Sequence, residues 1–519
     1  MFIGITLLFL DFTGTLHPWL AWTARLQFWP AMLSQSIVFF VAWIVITLIF
    51  GRIYCSIICP LGIFQDIVAR RGRIFSRRPL SSVKGRGYSY SKPKYILRLV
   101  IFLVFIMLFT RTSYHIVTTL LEPYSIFGRM MSTIISPIYR FGNNILAWFA
   151  AQFDSYMFYT KEVWQESLVA LAISAATILF ISILAWRNGR TYCNTICPIG
   201  TLLNFFSRYS LFKVRIDADK CRTCQQCVRN CKASCIDLTS KTVDYRRCVV
   251  CGDCLEQCKF GALKYAPSLL SGLKHKPVNQ ETPENPAIPD SQERPDNPEN
   301  PATQVNAEHV DTSRRAFLLG AALATTGAAL AETKKKVDGG LAEIKEKANV
   351  ERQHRINPPG SLSLENMSKQ CTGCQLCVQA CPSGVLRPST ALDTFMQPEL
   401  DYRKGHCQLE CTACSEVCPA EAILPLTKEK KASLKIGTAQ WVKKNCIVLT
   451  DHVECGNCAR HCPAGAIEMM PLDADDEQSP KVPVIHAEYC IGCGACEHLC
   501  PARPFTAIKV EGVDVQHEI

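Results

Sequence analysis

The chain has 519 residues, a net charge of +11 and 29 cysteines, and its length allows three or more structural units. Residues 1–265 carry 30 Lys and Arg against 12 Asp and Glu, whereas residues 341–519 carry 18 against 23. Because the basic half also contains long apolar stretches, this charge distribution indicates a membrane protein with positive cytoplasmic loops and argues against a nucleic-acid-binding protein.

Apolar stretches predict an α-helical membrane bundle of about four spans, at residues 1–16, 31–50, 95–110 and 167–186. The second and fourth are about 20 residues long, which is enough to cross a bilayer as a helix. The first offers ten residues before Asp11, so either it is a partial span or the natural start lies upstream, and we favour the latter. Between the second and third stretches, residues 69–94 hold nine Lys and Arg and no acid, which predicts a cytoplasmic loop.

A twelve-residue motif occurs twice in the predicted bundle, at residues 51–62 and 189–200, with eight identical positions. Each copy reads Gly-Arg-x-Tyr-Cys-x3-Cys-Pro-x-Gly and follows an apolar stretch. Because two predicted spans lie between the copies, both are expected on the same side of the membrane. Their cysteines form two i, i+4 pairs that would each share a helix face, namely Cys55, Cys59, Cys193 and Cys197. Two interpretations remain open: buried thiols of a duplicated fold, or a four-thiol redox or metal site between the copies.

Twenty-four other cysteines form six runs of four. Four runs have the spacing Cys-x2-Cys-x2-Cys-x3-Cys and begin at Cys221, Cys248, Cys371 and Cys490. The two that begin at Cys407 and Cys446 have a longer first gap. Such runs ligate 4Fe–4S clusters, whereas neither disulfides nor zinc sites account for a repeated four-cysteine spacing of this kind. The sequence therefore predicts six 4Fe–4S clusters. It contains no Cys-x2-Cys-His, so no attached c-type haem is expected.

The runs come in three tandem pairs, which predicts three α+β modules like bacterial dicluster ferredoxins. In such modules the fourth cysteine of each run serves the other run's cluster. The predicted ligand sets are Cys221, Cys224, Cys227 with Cys258; Cys248, Cys251, Cys254 with Cys231; Cys371, Cys374, Cys377 with Cys418; Cys407, Cys411, Cys414 with Cys381; Cys446, Cys455, Cys458 with Cys500; and Cys490, Cys493, Cys496 with Cys462. Cys235 is left over, and we interpret it as a buried structural thiol rather than a spare ligand.

The chain divides into five predicted segments. A membrane domain (1–215) precedes a cytoplasmic ferredoxin module (216–265), a Pro-rich disordered linker (266–312), a twin-arginine signal or anchor (313–331) and a domain with the remaining two modules (341–519). Iron–sulfur clusters are inserted in the cytoplasm, and the twin-arginine route exports folded proteins. We therefore expect the last domain to be periplasmic.

These motifs resemble two known families. The doubled Cys-x3-Cys-Pro motif, the apolar stretches and one dicluster module resemble the NapH-type membrane ferredoxins. The twin-arginine signal, the Pro358-Pro359-Gly360 element and the four runs from Cys371 onward resemble the NapG/MauM-type periplasmic ferredoxins. Together the two resemblances cover nearly the whole chain, which looks like a fusion of both. Lys232 and Lys259 stand where the bacterial runs have proline, so the local turns of the first module are expected to differ.

The resemblance implies a quinol dehydrogenase component of an electron-transfer chain in the bacterial inner membrane. Electrons would pass from the quinone pool (menaquinol or ubiquinol) through the clusters to a periplasmic reductase or another redox partner. The export machinery would be a further partner, and nucleic acid would not. Asp11 is the candidate proton acceptor, because an ionisable group near a span is a functional candidate. The alternative is a maturation factor that supplies electrons for metalloenzyme assembly or metal reduction. Neighbouring genes for a reductase subunit or for copper-handling proteins would discriminate the two.

Overall fold

The computed structural model describes residues 1–11, 13–34, 37–75, 88–110, 119–155, 157–161, 168–267, 345–473, 475 and 479–519. The described residues of Met1–Ser271 and of Lys347–Ile519 form one compact unit. The predicted twin-arginine signal and all but the first two residues of the predicted linker lie outside the described residues.

Helices dominate the described part of residues 1–211. Two π-helical turns, Tyr54–Ile58 and Met131–Ile135, interrupt them. The α-helices are α1 (Phe2–Leu10), α2 (His17–Arg25), α3 (Phe28–Leu33), α4 (Ile37–Phe50), α5 (Pro60–Phe75), α6 (Tyr95–Thr110), α7 (Pro123–Met130), α8 (Ser136–Ala151), α9 (Leu168–Asn188), α10 (Thr191–Thr195) and α11 (Pro198–Ser207).

Within the described residues, α9 is the one helix that is long and apolar enough to cross a bilayer, by length and composition, over Val169–Asn188. The apolar parts of α4 and α6 are shorter, at Val38–Phe50 and Tyr95–Phe109. Helix α1 ends at Leu10 instead of continuing to residue 16. The four-span bundle therefore stays a prediction.

The first ferredoxin module is a small α+β element that packs on the end of α4. Strand β1 (Phe212–Ile216) pairs antiparallel with β4 (Leu263–Pro267), and β2 (Ile236–Asp237) with β3 (Thr242–Val243). Two short helices lie between these strands, α12 (Gln226–Asn230) and α13 (Asp253–Glu256). The ring of Phe212 stacks on that of Phe50 with 5.7 Å between centroids, and the Tyr265 hydroxyl donates to the Phe50 carbonyl at 2.8 Å.

Residues 345–519 form the second ferredoxin part, also α+β. Its elements are α14 (Leu364–Gln370), α15 (Leu376–Ala380), β5 (Leu386–Pro388), β6 (Pro398–Leu400), α16 (Ala413–Val417), α17 (Lys428–Ala432), β7 (Leu434–Trp441), a 3-10 turn (Lys443–Asn445), α18 (Ile447–Thr450), α19 (Asn457–Arg460), β8 (Ile467–Pro471), β9 (Lys481–Ile485), α20 (Ala495–His498) and β10 (Ile508–Glu518). The antiparallel pairs are β5–β6, β8–β9 and β7–β10. Strand β10, the last element, therefore returns to β7 and joins the start and end of the third module.

The second ferredoxin part packs against helices from the N-terminal region. The Ser125 hydroxyl of α7 donates to the Thr372 carbonyl at 2.7 Å, and the Ser136 hydroxyl of α8 donates to the Gln379 side chain at 2.8 Å. Phe9 and Phe127 are fully buried in the same apolar core as Leu376 of α15. Burial of these large side chains is the main favourable contribution to such an interface.

The two ferredoxin parts contact opposite ends of α9. Near its first turn, Ala170 packs against Phe395 and Met396 of the second part. Just after its last turn, the Arg190 amide donates to the Lys232 carbonyl of the first module at 2.9 Å. A helix of 21 residues is about 30 Å long, which is the thickness of a bilayer core.

Candidate iron–sulfur sites

Four of the six predicted ligand sets each surround one open cavity. The space around each set, together with the adjoining open solvent, measures about 350, 350, 370 and 300 Å³. Their linings include, in that order, Cys221, Cys224, Cys227 and Cys258; Cys371, Cys374, Cys377 and Cys418; Cys446, Cys455, Cys458 and Cys500; and Cys490, Cys493, Cys496 and Cys462. In each case the fourth cysteine belongs to the partner run, as in the predicted exchange of ligands.

The remaining two sets are also drawn together. Burial, followed by the nearby thiols of Cys248, Cys231 and Cys251, raises the pKa of Cys254. Likewise, burial and then the thiols of Cys407, Cys381 and Cys411 raise the pKa of Cys414. These effects indicate that the sulfurs of each set lie near one another, and Cys227 of the neighbouring set also contributes to the raised pKa of Cys254.

The donor sets fit a cluster of four iron atoms with one thiolate on each. Backbone amides donate to several of the sulfurs: Gly373 to Cys371 at 3.4 Å, Ala466 to Cys462 at 3.3 Å and Ala507 to Cys500 at 3.3 Å. Such hydrogen bonds stabilise thiolates and tune the potential of a cluster. Among the described residues, no group of three or more His, Cys, Asp or Glu side chains could hold a single metal ion.

Cys235 lies beside one of these sets. It is buried, and its Sγ is 3.5 Å from that of Cys231. Its hydrogen bond to Cys248 lowers the pKa of that thiol, although burial opposes the shift. The structure thus places this extra thiol next to two predicted ligands and does not make it a separate site.

The two copies of the repeated motif meet in one buried core. Their four thiols are 4–5% exposed and none is in a disulfide. Each second cysteine precedes a helix that begins with proline, Pro60 in α5 and Pro198 in α11, the position where a missing N–H costs nothing. The amide of Gly200 donates to Cys197 Sγ at 3.3 Å, and the amide of Gly62 hydrogen bonds Cys59 in the same way. The site therefore has approximate two-fold symmetry.

The arginine of each copy crosses to the other copy. Arg190 donates to the carbonyl of Cys55, and Arg52 donates to that of Cys193 at 3.2 Å. The glycine that ends each copy makes room for this crossing. A Cβ on Gly62 would overlap the Cys55 carbonyl and lie 3.2 Å from the Arg190 side chain, and Gly200 has the equivalent surroundings. Arg52 and Arg190 were not predicted as site residues, although their shared position in the two copies of the repeat is a signal that could have identified them.

Asp66 of α5 holds this core to the first ferredoxin module. Its carboxylate accepts two hydrogen bonds from Arg190, at 2.8 and 2.6 Å, and one from Lys232 at 3.1 Å. Lys232 also pairs with Asp253 at 2.9 Å. Burial opposes ionisation of Asp66, but its bonds to Arg190 and Lys232 outweigh that effect and lower the pKa. Lys232, which stands where related runs have proline, thus has a specific electrostatic role.

Asp11, the predicted proton acceptor, closes the turn between α1 and α2. Its carboxylate accepts hydrogen bonds from the backbone amides of Thr13, Gly14, Leu16 and His17 and from the Thr13 hydroxyl, and contacts the His17 ring at 2.9 Å. A carboxylate with this many donors is a weak base, so its geometry suits a structural role, and its role in proton transfer stays a prediction.

Comparisons with known proteins agree with iron–sulfur chemistry. A family model described as a 4Fe-4S binding domain matches residues 36–79 and 168–217, the segments that carry the repeated motif. A second model, described as a 4Fe-4S dicluster domain, matches residues 370–422 and 453–503. No solved structure matches the chain.

Three relatives are named ferredoxin-type proteins. NapG of Escherichia coli K12 is 30% identical over 186 residues, 33% of this chain and 79% of NapG. The methylamine utilization protein MauM of Paracoccus denitrificans is 30% identical over 168 residues, 31% of this chain and 73% of MauM. NapF of Escherichia coli K12 is 29% identical over 153 residues, 29% of this chain and 84% of NapF. The chain therefore belongs to the ferredoxin-type 4Fe–4S proteins.

Proposed function

We propose that the chain is a membrane-bound electron-transfer protein that oxidises a quinol and passes the electrons through 4Fe–4S clusters to a periplasmic reductase or another redox partner. The observation that carries this proposal is the contact of the two ferredoxin parts with opposite ends of α9. A helix of about bilayer length between two cluster-bearing parts suits electron transfer from one side of a membrane to the other.

Exposed apolar side chains support the membrane location. Ile96 and Met107 of α6 are 81% and 62% exposed, and Leu179 of α9 is 62% exposed. Large exposed apolar surfaces on a folded protein mark a protein or membrane contact. These residues lie on helices that are apolar along their length, which favours lipid as the contact.

The orientation of the chain follows from charge and from the signal. The basic residues between α5 and α6 favour a cytoplasmic location for that end of the bundle. The first ferredoxin module contacts the same end, because Lys232 bonds Asp66 of α5. The twin-arginine pair Arg314-Arg315 precedes the second ferredoxin part and favours its export as a folded domain.

Quinol oxidation releases two electrons and two protons, whereas a 4Fe–4S cluster accepts one electron at a time. The chain must therefore separate the two electrons and supply a route for the protons. We place quinol oxidation near the repeated motif, where buried thiols and arginines lie beside the lipid-facing helices α4 and α6. A site for quinol oxidation in the helical region and an acceptor in the C-terminal domain are what a fusion of a NapH-type region with a NapG/MauM-type domain would need.

Reporter fusions test the orientation. A reporter fused after Ala266 should be active only in the cytoplasm and one after Ile519 only in the periplasm. Replacing Arg314 and Arg315 with Lys should leave the C-terminal reporter in the cytoplasm. The matched control replaces another adjacent pair, Arg77 and Arg78, with Lys and should not affect export. Continued export by the first variant would contradict the proposed signal.

Reduction by quinol tests the activity. Full-length protein in lipid nanodiscs should lose the visible absorbance of its oxidised clusters when a menaquinol analogue is added anaerobically. The oxidised quinone form of the same analogue is the control and should have no effect. Clusters that dithionite reduces and the quinol does not would refute quinol oxidation.

A further inference from the structure

We infer that helix α8 lies along the bilayer surface on the side of the second ferredoxin part, with one apolar face in phospholipid, and thereby holds that part at the membrane. This face, which we call the lipid face of α8, comprises Ile138, Phe141, Ile145, Trp148 and Phe149. The inference rests on the membrane location in the proposed function and is independent of quinol oxidation.

The lipid face is apolar and exposed over most of the helix. Its residues follow one another at the spacings of three and four that place side chains on one side of a helix. Phe141, Trp148 and Phe149 are 61%, 59% and 53% exposed. Exposed apolar surfaces of this kind on a folded protein mark a contact with another protein or with a membrane. The lipid face therefore requires a cover that is not part of the described residues.

The opposite side of α8 makes polar contacts with the protein. The Ser136 hydroxyl and the Arg140 guanidinium both donate to the side-chain oxygen of Gln379, at 2.8 and 2.9 Å, and Ala147 is buried. A helix with 3.6 residues per turn places these three α8 positions on one side and the lipid face on the other. Arg140 is also the only charged residue of α8. The apolar side thus faces outward, which is the reverse of a surface helix in a water-soluble protein.

The residues around the lipid face favour phospholipid over a protein partner as its cover. Tyr139 and Trp148 of α8 and Tyr159 just beyond it are exposed, and the Lys161 ammonium lies 5.4 Å from the centroid of the Tyr159 ring. Trp, Tyr and Lys are the residue types that anchor proteins where a membrane meets water. Helix α8 is also the last described helix before α9, the helix of bilayer length. The lipid face therefore continues the apolar surface of the proposed membrane helices.

Length and local contacts indicate that α8 lies in the interface and does not cross the bilayer. Its 16 residues span about 24 Å, less than the bilayer core of about 30 Å. The side-chain amides of Asn143 and Asn144, in the middle of the helix, donate to the carbonyls of Tyr159 and Lys161 at 2.9 and 2.7 Å. The chain after α8 therefore folds back along it. An amphipathic helix with this arrangement suits a position in the plane of the membrane surface.

The contact between α8 and α15 connects this lipid surface to two predicted clusters. Helix α15 carries Cys377 and lies between Cys374 and Cys381, which belong to two of the predicted ligand sets. Gln379 of the same helix accepts the hydrogen bonds from α8. A lipid-bound α8 thus keeps the first clusters of the second ferredoxin part next to the lipid phase in which a quinol dissolves.

Photocrosslinking tests the lipid contact directly. Full-length protein with p-benzoylphenylalanine in place of Phe149 is irradiated in nanodiscs of phosphatidylcholine and phosphatidylglycerol, and mass spectrometry should find a covalent phospholipid adduct at this position. The same replacement of Phe505 is the matched control and should give no adduct, because this residue of the second ferredoxin part is a phenylalanine with the same exposure, 53%. The same replacement of the exposed Leu179 in α9 tests the membrane location itself.

The pattern of adducts separates this inference from the proposed function. An adduct at Leu179 without one at Phe149 would overturn the inference and leave the membrane location intact. No adduct at either position would refute the membrane location, and the inference with it. A crosslink from Phe149 to a second copy of the chain, or to another protein in native membranes, would overturn phospholipid as the cover.

Substitutions on the lipid face test whether it holds the second ferredoxin part. Phe141→Asp combined with Phe149→Asp should make local opening at α15 about 100-fold more frequent, about tenfold for each ring removed from lipid. Amide exchange of residues 375–380 in nanodiscs measures this opening. Phe141→Leu combined with Phe149→Leu is the control and should keep wild-type exchange, because lipid accepts any apolar side chain. Wild-type exchange in the Asp variant, or fast exchange in the Leu variant, would overturn the inference whether or not quinol reduces the clusters.

Discussion

Removal of the Asp66 carboxylate should release the first ferredoxin module from the helices. Asp66→Asn leaves Arg190 and Lys232 buried without their shared counter-ion. Breaking a buried pair in this way costs about 3–5 kcal/mol. Since each 1.4 kcal/mol is a factor of ten, the local opening that separates the module from α9 should become about 100- to 3,000-fold more frequent.

Hydrogen–deuterium exchange measures this opening. The Arg190 amide donates to the Lys232 carbonyl, so peptides that contain these residues should exchange faster in the variant. Asp253→Asn is the matched control. It removes the other partner of Lys232 but keeps the bond between Asp66 and Arg190, and its carboxylate is 25% exposed. Its effect should be at most about 1 kcal/mol.

The pH dependence of amide exchange is an independent test of the role of Asp66, because its direction follows from the pKa of that group. The pKa of Asp66 is lowered from 3.8 in the folded protein, so its stabilising effect is fully present above pH 3.8 and is lost as the pH falls through the lower, folded value. After correction for intrinsic exchange, wild-type protection at Arg190 should be constant down to about pH 4 and fall below it. Equal exchange in wild type and Asp66→Asn at neutral pH would refute the role given to this network.

Three further predictions concern other contacts. Gly128→Ala places a Cβ against the Cys374 carbonyl and should weaken docking of the second ferredoxin part by about 1–3 kcal/mol. The measurement is amide exchange near Cys374, which should become faster. Gly142→Ala is the control and should have no effect, because the space around Gly142 is open. Cys371→Ser should remove about four iron atoms, one cluster, and an unchanged iron content would contradict its assignment as a ligand. Asp11→Ala leaves the amides of Thr13, Gly14, Leu16 and His17 without their acceptor and should lower the free energy of unfolding by about 1–3 kcal/mol. Slower reduction by quinol at unchanged stability would support the predicted role in proton transfer, and an unchanged rate would contradict it.

Local spacing carries much of the information about the ferredoxin parts. The runs from Cys221 and Cys371 predict both their own three ligands and the distant fourth, because the exchange of ligands is a property of the tandem arrangement. The structure places those fourth cysteines, Cys258 and Cys418, at the same cavities as their predicted partners. Short motifs are informative here because each module is small and most of its predicted ligands are close in sequence.

Contacts between distant segments could not be predicted in this way. Ser132 and Gln375 are hydrogen bonded although 243 residues separate them, and no local pattern in the sequence pairs the π-helical turn Met131–Ile135 with the residue that precedes α15. Likewise, nothing in the local sequence distinguishes Asp66 from other acidic helix residues, because its partners Arg190 and Lys232 come close only in the folded chain. Helix α1 is shorter than its apolar composition suggested, because the hydrogen bonds of Asp11 favour a turn.

Electron transfer from quinol to the second ferredoxin part is the central claim, and freeze-quenched EPR after mixing with a menaquinol analogue tests it most directly. In wild-type protein in membranes, clusters of both ferredoxin parts should become reduced by the quinol. With Cys59 and Cys197 replaced by Ser, dithionite should still reduce the clusters of both parts, whereas quinol should no longer reduce both. Rapid quinol reduction of both parts in that variant, or none in the wild type despite full reduction by dithionite, would contradict the proposed path.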